Sequence, residues 1–262
     1  MIDYVRGWAL ITGASAGIGA EFARQLAAEG YALILVARRL QRLNELKIEL
    51  QEKVPVEILA LDLSKPDAGT RLEKFCEEQE IQVDLLVNNA GFGSCGRFAE
   101  LDLNRELEMV DLNIRSMLEL SHRFVKRMIE RGSGKILIVA SCGGFQPGPG
   151  MNTYFATKGF DLHFAEALDE ELSGTGVRCS VLCPGPTATE FFDVAGAKSL
   201  KATPIPSMNV KDVVRYTLKK MDQGHRVIIP GVLNQLASLC YRFFPRRLIT
   251  SLLGRVLLHR SL

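Results

Sequence analysis

A chain of 262 residues is long enough for one large hydrophobic core and short of a comfortable division into two domains. Its 47% hydrophobic and 24% charged content is ordinary for a soluble globular protein, and a net charge of +2 carries no nucleic-acid footprint. No stretch reaches about eighteen apolar residues without a charge, which argues against an ordinary spanning helix. Met1 to Trp8 leads almost directly into a strand-like run, so no secretory or transit processing is expected. The six cysteines match no common zinc spacing and read as reduced and structural, in keeping with a cytoplasmic protein. The four histidines are dispersed, and no metal site is expected.

Short apolar runs predict strands at Trp8–Thr12, Ala32–Ala37, 54–60, 84–88, 135–140, 178–182 and 226–229. Between them, amphipathic periodicity predicts helices over roughly 18–29, 39–52, 66–79, 101–130, 153–173, 210–223 and 233–244. This alternation implies a doubly wound α/β domain over residues 1–232, a parallel sheet with helices on both faces.

The first strand runs into Thr12-Gly13-Ala14-Ser15-Ala16-Gly17-Ile18-Gly19. Glycine suits both the tight turn and a close approach of backbone to phosphate, and the following helix would aim free N–H groups at a pyrophosphate. A glycine turn that only tightens a strand–helix junction is the plain alternative. A P-loop is disfavoured because no Gly-Lys-Ser/Thr ending follows. The second strand ends Val36-Ala37-Arg38-Arg39, where a site for unphosphorylated ribose usually places a carboxylate. A guanidinium there can pair with a 2′-phosphate, so NADP(H) is the expected cofactor, with Arg38 the chosen contact and Arg39 placed at the next helix start. Asp62, in Asp62-Leu63-Ser64, either caps a helix or accepts from an adenine amino group. Asn88-Asn89-Ala90-Gly91 ends the fourth strand as a polar turn or as small backbone beside a ribose.

Ser141 ends the fifth strand, and a loop rich in glycine and proline leads from it to Tyr154 and Lys158. Four residues apart on a helix, Tyr154 and Lys158 share a face, and an ammonium there would favour phenolate. Such pairs are also common on surfaces, so this spacing alone is weak. Asn113 falls inside predicted helix 101–130, either solvated or internally bonded, or marking a distortion that holds water in a proton path to Lys158. Cys142 has no histidine or carboxylate near it in sequence to support thiol chemistry.

Taken in order and context, these motifs resemble the classical branch of the short-chain dehydrogenase/reductase family over about residues 6–230. The resemblance implies a Rossmann-type three-layer fold whose seven parallel strands lie in the order 3-2-1-4-5-6-7. It implies an NADP(H)-dependent oxidoreductase that interconverts a carbonyl and a secondary alcohol, with catalytic Asn113, Ser141, Tyr154 and Lys158. Gly13, Ser15, Ala16, Gly17, Ile18 and Gly19 would meet the cofactor phosphates, and Asp62 with Leu63 its adenine side. Asn89, Ala90 and Gly91 would lie along it, Tyr154 and Lys158 at the nicotinamide ribose, and Pro184, Gly185 and Thr187 at the carboxamide. Some likeness extends to 3-ketoacyl and hydroxysteroid reductases, and a homodimer or homotetramer through 101–130 and 153–173 is implied.

A substrate lid is expected at about 188–207, and Phe92, Phe145, Met151, Phe191 and Phe192 are candidate pocket residues suited to an apolar ketone. Two rival readings are a non-catalytic NADP(H)-binding regulator and a dehydratase or epimerase on the same scaffold. Residues 233–262 carry five arginines and none of the chain's 30 acidic residues. Two short amphipathic helices broken by Pro245 are expected, covering the core or a subunit contact, lying peripherally on a membrane, or gating the pocket.

Overall fold

Seven parallel strands form the central sheet: β1 (Trp8–Thr12), β2 (Ala32–Ala37), β3 (Val56–Ala60), β4 (Val83–Asn88), β5 (Gly134–Val139), β6 (Val177–Leu182) and β7 (Val227–Ile228). Their order is 3-2-1-4-5-6-7, the doubly wound arrangement expected. The computed structural model describes residues 6–197 and 207–258. The helices are α1 (Gly17–Ala28), α2 (Leu40–Leu50), α3 (Ala68–Glu78), α4 (Leu103–Val110), α5 (Met117–Arg131), α6 (Asn152–Glu171), α7 (Phe191–Val194), α8 (Val210–Asp222), α9 (Val232–Phe243) and α10 (Arg246–Leu258).

Strand side chains alternate between two cores. Ala9, Ile11, Leu33 and Leu35 pack with Phe22 and Leu26 of α1, Leu43 and Leu46 of α2 and Val213 of α8. Leu10, Ile34 and Val36 point the other way, toward Leu72 of α3, Phe124 and Met128 of α5 and Leu162 of α6. This two-residue period explains why the central strands read as continuous apolar runs: both faces are covered. The sheet order reverses between β1 and β4, which opens a crevice at the carboxyl ends of those strands.

The single helix expected over 101–130 is interrupted. Asp102 caps α4 by accepting from the Asn104 N–H at 3.0 Å, and a π-helical turn, Asp111–Ser116, joins α4 to α5. Such a turn adds one residue to a single turn and leaves helix on both sides, so the apolar pattern over so short a stretch does not single it out. Among the described residues no helix is long and apolar enough to cross a membrane.

Asp169, buried at the end of α6, ties the far edge of the sheet together. It accepts from Arg178 Nε and the Cys179 N–H, each at 3.0 Å, and from Arg226 Nε at 2.8 Å. Burial pushes this carboxyl upward, but the bonds from Arg178, Arg226 and the Cys179 amide outweigh burial and hold it below the usual range. A depressed folded pKa contributes stability above the unfolded carboxylate value of about 3.9, and that stability is lost as the pH falls through the folded value. The urea midpoint of wild-type protein is therefore expected to drop more steeply below about pH 4 than that of Asp169→Asn. Parallel pH curves for the two proteins would contradict this role.

Candidate active site

The glycine turn fits the phosphates of a dinucleotide because the backbone there has no room for side chains. Gly13 and Gly17 adopt left-handed φ angles of 66° and 54°. A Cβ on Gly13 would lie 2.9 Å from Ala90 Cα, and one on Gly19 would lie 2.5 Å from the Gly13 carbonyl oxygen. Helix α1 starts without a side-chain cap, so its first N–H groups remain available to an anion. Ser15, Ala16 and Gly17 border a cleft of about 770 Å³ shared with Arg42, Thr187 and Glu190. Thr12 knits the two central strands: its Oγ1 accepts from the N–H groups of Asn89 and Ala90, both at 2.9 Å. The Asn89 side chain donates back to the Thr12 carbonyl at 2.8 Å. Asn89, Ala90 and Gly91 thus border the crevice where β1 and β4 diverge.

Neither arginine after β2 has a carboxylate on that strand end to oppose a 2′-phosphate. Arg38 reaches Glu108 on α4 at 3.2 Å, whereas Arg39 donates to Ser15 Oγ at 3.2 Å and to Glu190 at 3.0 Å. The glycine turn is therefore touched by Arg39. Asp62 accepts from the Ser64 N–H at 3.1 Å and its hydroxyl at 2.8 Å, closing a local turn in which Leu63 is buried. Burial raises the Asp62 pKa, yet the Ser64 bonds and the Arg38 charge outweigh it and keep the carboxyl low.

At the carboxyl end of β5, the Ser141 hydroxyl accepts from the Gly143 N–H at 3.0 Å, and the same side chain favours ionisation of the Tyr154 phenol. Tyr154 and Lys158 are both buried one turn apart on α6. Burial pushes the phenol above its ordinary range; Lys158 and Ser141 pull it down, as the spacing suggests, without outweighing burial. The resting group is therefore the protonated phenol, the form that donates to a carbonyl. Lys158 Nζ donates to the Val139 carbonyl and to Asp161, each at 2.8 Å. Burial works against the ammonium, but Asp161 keeps it charged. With three donors on the ammonium, one remains for a further partner such as a ribose hydroxyl.

Asn113 sits in the π-helical turn, buried and fully engaged. Its Oδ1 accepts from the Phe92 N–H at 3.1 Å, and its Nδ2 donates to the Phe92 carbonyl and to Thr157 Oγ1, each at 3.0 Å. The side chain fastens the loop after β4 to α6. Gly91 lies between this amide and Lys158: a Cβ there would be 3.0 Å from Asn113 Oδ1 and 3.6 Å from Lys158 Nζ. The Pro184 carbonyl accepts from the Cys142 N–H at 2.9 Å, and Thr187 Oγ1 donates to the Gly185 carbonyl at 3.0 Å. These contacts bring the 184–187 loop beside Ser141. Burial pushes the Cys142 thiol up to about 12, which leaves negligible thiolate for nucleophilic chemistry near neutral pH.

Residues 7–199 match the short chain dehydrogenase family model. The chain belongs to that family.

It is an oxidoreductase by that membership. It is 38% identical to a sulfoacetaldehyde reductase of Chromohalobacter salexigens over 69% of this chain and 72% of the relative. A very-long-chain 3-oxoacyl-CoA reductase of Phaeosphaeria nodorum is 34% identical over 83% of this chain and 64% of its own. Among solved structures, a short-chain dehydrogenase from Sphingobium yanoikuyae in complex with NADPH superposes with a TM-score of 0.82. It has 32% identity and coverage of 94% of this chain and 95% of its own. The bulky-bulky ketone specific alcohol dehydrogenase of Comamonas testosteroni gives 0.78 at 30% identity, covering 95% of both chains.

In this member of the family an apolar cluster closes over the phenol. Tyr154 packs with Phe92, Met109, Met151, Ala195 and Leu257, and the Phe191 ring lies 4.9 Å from the tyrosine ring. Phe92, Met151, Phe191 and Phe192 of the expected pocket residues gather here. Phe145 does not: it packs into the core around β5 and β6, because its short helical turn faces the sheet. Of the expected lid at 188–207, residues 198–206 lie outside the described residues. Its described part is held at both ends. Glu190 pairs with Arg39 at 3.0 Å and Arg42 at 3.1 Å, and Arg105 donates to the Val194 carbonyl at 2.9 Å while lying 4.7 Å over the Phe92 ring.

Asp161, Arg105, Glu190 and Leu257 are residues that sequence reasoning passed over. For Asp161 a signal existed, since three residues after Lys158 is the same helical face. The others meet partners distant in sequence and leave no local pattern.

Proposed function

We propose that this protein uses NADPH to reduce an apolar, lipid-like or aromatic ketone to a secondary alcohol, and that the reaction also runs in reverse. One observation carries the reading: a protonated, buried phenol beside Ser141 faces an apolar cluster. When bound, the cofactor supplies the hydride that the carbonyl carbon accepts. Tyr154 donates its proton to the carbonyl oxygen, and the Ser141 hydroxyl holds that oxygen as negative charge develops on it. Lys158 keeps a fixed positive charge beside the phenol and offers its remaining donor to the nicotinamide ribose. Asn113 holds Phe92 and Thr157, and with them the distance between the loop after β4 and Tyr154. The complete Tyr154–Lys158–Ser141 arrangement favours turnover over a purely regulatory NADP(H)-binding role. Among the described residues, no second acid–base pair lies in the cluster to favour dehydration or epimerisation.

Exposed Leu103 and Leu107 on α4 and Leu118 on α5 support self-association through these helices as a homodimer or homotetramer. A cytoplasmic location fits reduced cysteines.

The phosphate-binding arginines have separable readouts. We expect Arg38→Leu and Arg39→Leu each to lower kcat/KM for NADPH by about 10–100-fold, the worth of charge-assisted hydrogen bonds, while NADH turnover stays within about threefold. Equal losses with both cofactors would contradict phosphate recognition. The reading itself is tested with purified protein, NADPH and a panel of 3-ketoacyl thioesters, steroid and aromatic ketones, sugars and sulfoacetaldehyde. The apolar lining predicts that a bulky apolar ketone is turned over fastest. Exclusive turnover of sulfoacetaldehyde would reject the substrate assignment and keep the chemistry.

A further inference from the structure

The last two helices are apolar on faces that nothing among the described residues covers. On α9, Val232, Leu236, Leu239 and Phe243 fall on one stripe and are all exposed, Val232 by 70% and Phe243 by 79%. On α10, Leu248, Leu252 and Val256 recur every four residues on a second exposed stripe. The opposite side of α10 turns inward, and Leu257 enters the apolar cluster around Tyr154. Gly254 and Leu258 rest on Pro149 and Gly150, so α10 roofs the loop that leads into the catalytic helix. One helix thus has an inner apolar face on the catalytic cluster and an outer apolar face open to solvent.

We propose that α9 and α10 lie flat on an anionic phospholipid surface and place the mouth of the catalytic cluster there, so that the ketone is taken from the lipid phase. The docking part stands on the helices alone; the delivery part rests on the ketone-reductase reading above. Length rules out spanning: helices of 12 and 13 residues are about 18–20 Å long, against a hydrocarbon core of about 30 Å. Charge selects the partner. The segment from 233 onward holds Arg242, Arg246, Arg247, Arg255 and Arg260 without one acidic side chain; on α10, Arg255 borders the stripe and Arg247 is exposed. Apolar stripes with cationic edges match the acyl boundary and headgroups of an anionic leaflet. A second copy of the chain suits this face less well. A twofold contact would set arginines against arginines, with no acidic side chain in the segment to pair with them.

The test is co-sedimentation of the full chain with phosphatidylcholine vesicles, with and without about one quarter phosphatidylglycerol. NADPH binding to the same samples is followed as a check of folding. Wild-type protein is expected to sediment with the anionic vesicles, and the bound fraction to fall as salt screens the arginines. Leu236→Glu/Phe243→Glu and Arg247→Gln/Arg255→Gln should each lower vesicle affinity by about tenfold or more while NADPH binding is kept. These positions are solvent-exposed, so the substitutions do not disturb the core. Wild-type protein that stays in the supernatant overturns the proposal, as does equal sedimentation of wild type and both variants. A Leu236→Glu/Phe243→Glu protein that loses an oligomer in gel filtration, with no vesicle binding by wild type, assigns the face to a second copy and overturns it too. Because sedimentation needs no turnover, failure here leaves the reductase reading standing. An inactive protein that still binds anionic vesicles would separate the two in the other direction.

Discussion

Tyr154→Phe is expected to lower kcat for carbonyl reduction by about 10²–10⁴-fold, the usual worth of a positioned general acid. The substitution removes one oxygen from a ring otherwise held by Phe191, Met151 and Leu257, so the cluster keeps its shape. NADPH affinity should change by less than about threefold, because the glycine turn and the arginines after β2 are untouched. Rates and cofactor dissociation constants measured on the same preparation check this. A variant within about fivefold of the wild-type rate would remove Tyr154 from the role of proton donor. The direction of the phenol's shift adds a pH signature. Burial raises the Tyr154 pKa, so the phenol form persists across neutral pH. Reduction should stay flat there, and alcohol oxidation, which needs the phenolate, should rise as the pH approaches the phenol's elevated range.

The largest effect on stability is expected at Asp161. Its carboxylate is 2% exposed and lies 2.8 Å from Lys158 Nζ, itself 7% exposed. Asp161→Leu would leave a buried ammonium with only the Val139 carbonyl, and breaking a buried pair from one side costs about 3–5 kcal/mol. The double variant Lys158→Met/Asp161→Leu should recover most of that loss, because an apolar pair replaces an ion pair at little net cost. Urea denaturation of the four proteins of this cycle measures both terms. An Asp161→Leu protein within about 1 kcal/mol of wild type would show that the pair does not hold the helix. Asp161→Asn keeps the shape but removes the carboxylate that keeps Lys158 charged, and Lys158 is the larger of the two influences on the phenol. It should therefore move the oxidation limb of the pH profile to higher pH; a limb that moves to lower pH would show that the carboxylate's own repulsion of phenolate dominates.

The layered fold was legible because both faces of the sheet are covered. Trp8–Thr12 and Ala32–Ala37 appear with the boundaries their apolar runs suggest, and the remaining strands shift by one or two residues at their ends. The glycine turn was legible for a steric reason, since Gly13 and Gly19 have no room for a Cβ. What could not be read are pairings between distant segments. Arg39 reaches Ser15 and Glu190, both distant in sequence, and nothing local to Val36-Ala37-Arg38-Arg39 says which guanidinium turns toward the glycine turn. The π-helical turn at Asn113 adds one residue within an otherwise helical stretch and leaves no composition signal, while its consequence is the amide's bonds to the distant Phe92 and Thr157. The roof formed by α10 is invisible for the same reason, because its leucines recur on two faces and sequence alone does not say which faces inward.

The most direct test of hydride transfer uses NADPH carrying deuterium at the transferable position of the nicotinamide C4, with the ketone from the panel that is consumed fastest. The predicted result is a secondary alcohol with one deuterium on the carbinol carbon, formed by wild-type protein and about 10²–10⁴-fold more slowly by Tyr154→Phe. Tight NADPH binding with no labelled alcohol from any ketone would contradict the account and return the chain to a non-catalytic, nucleotide-binding role.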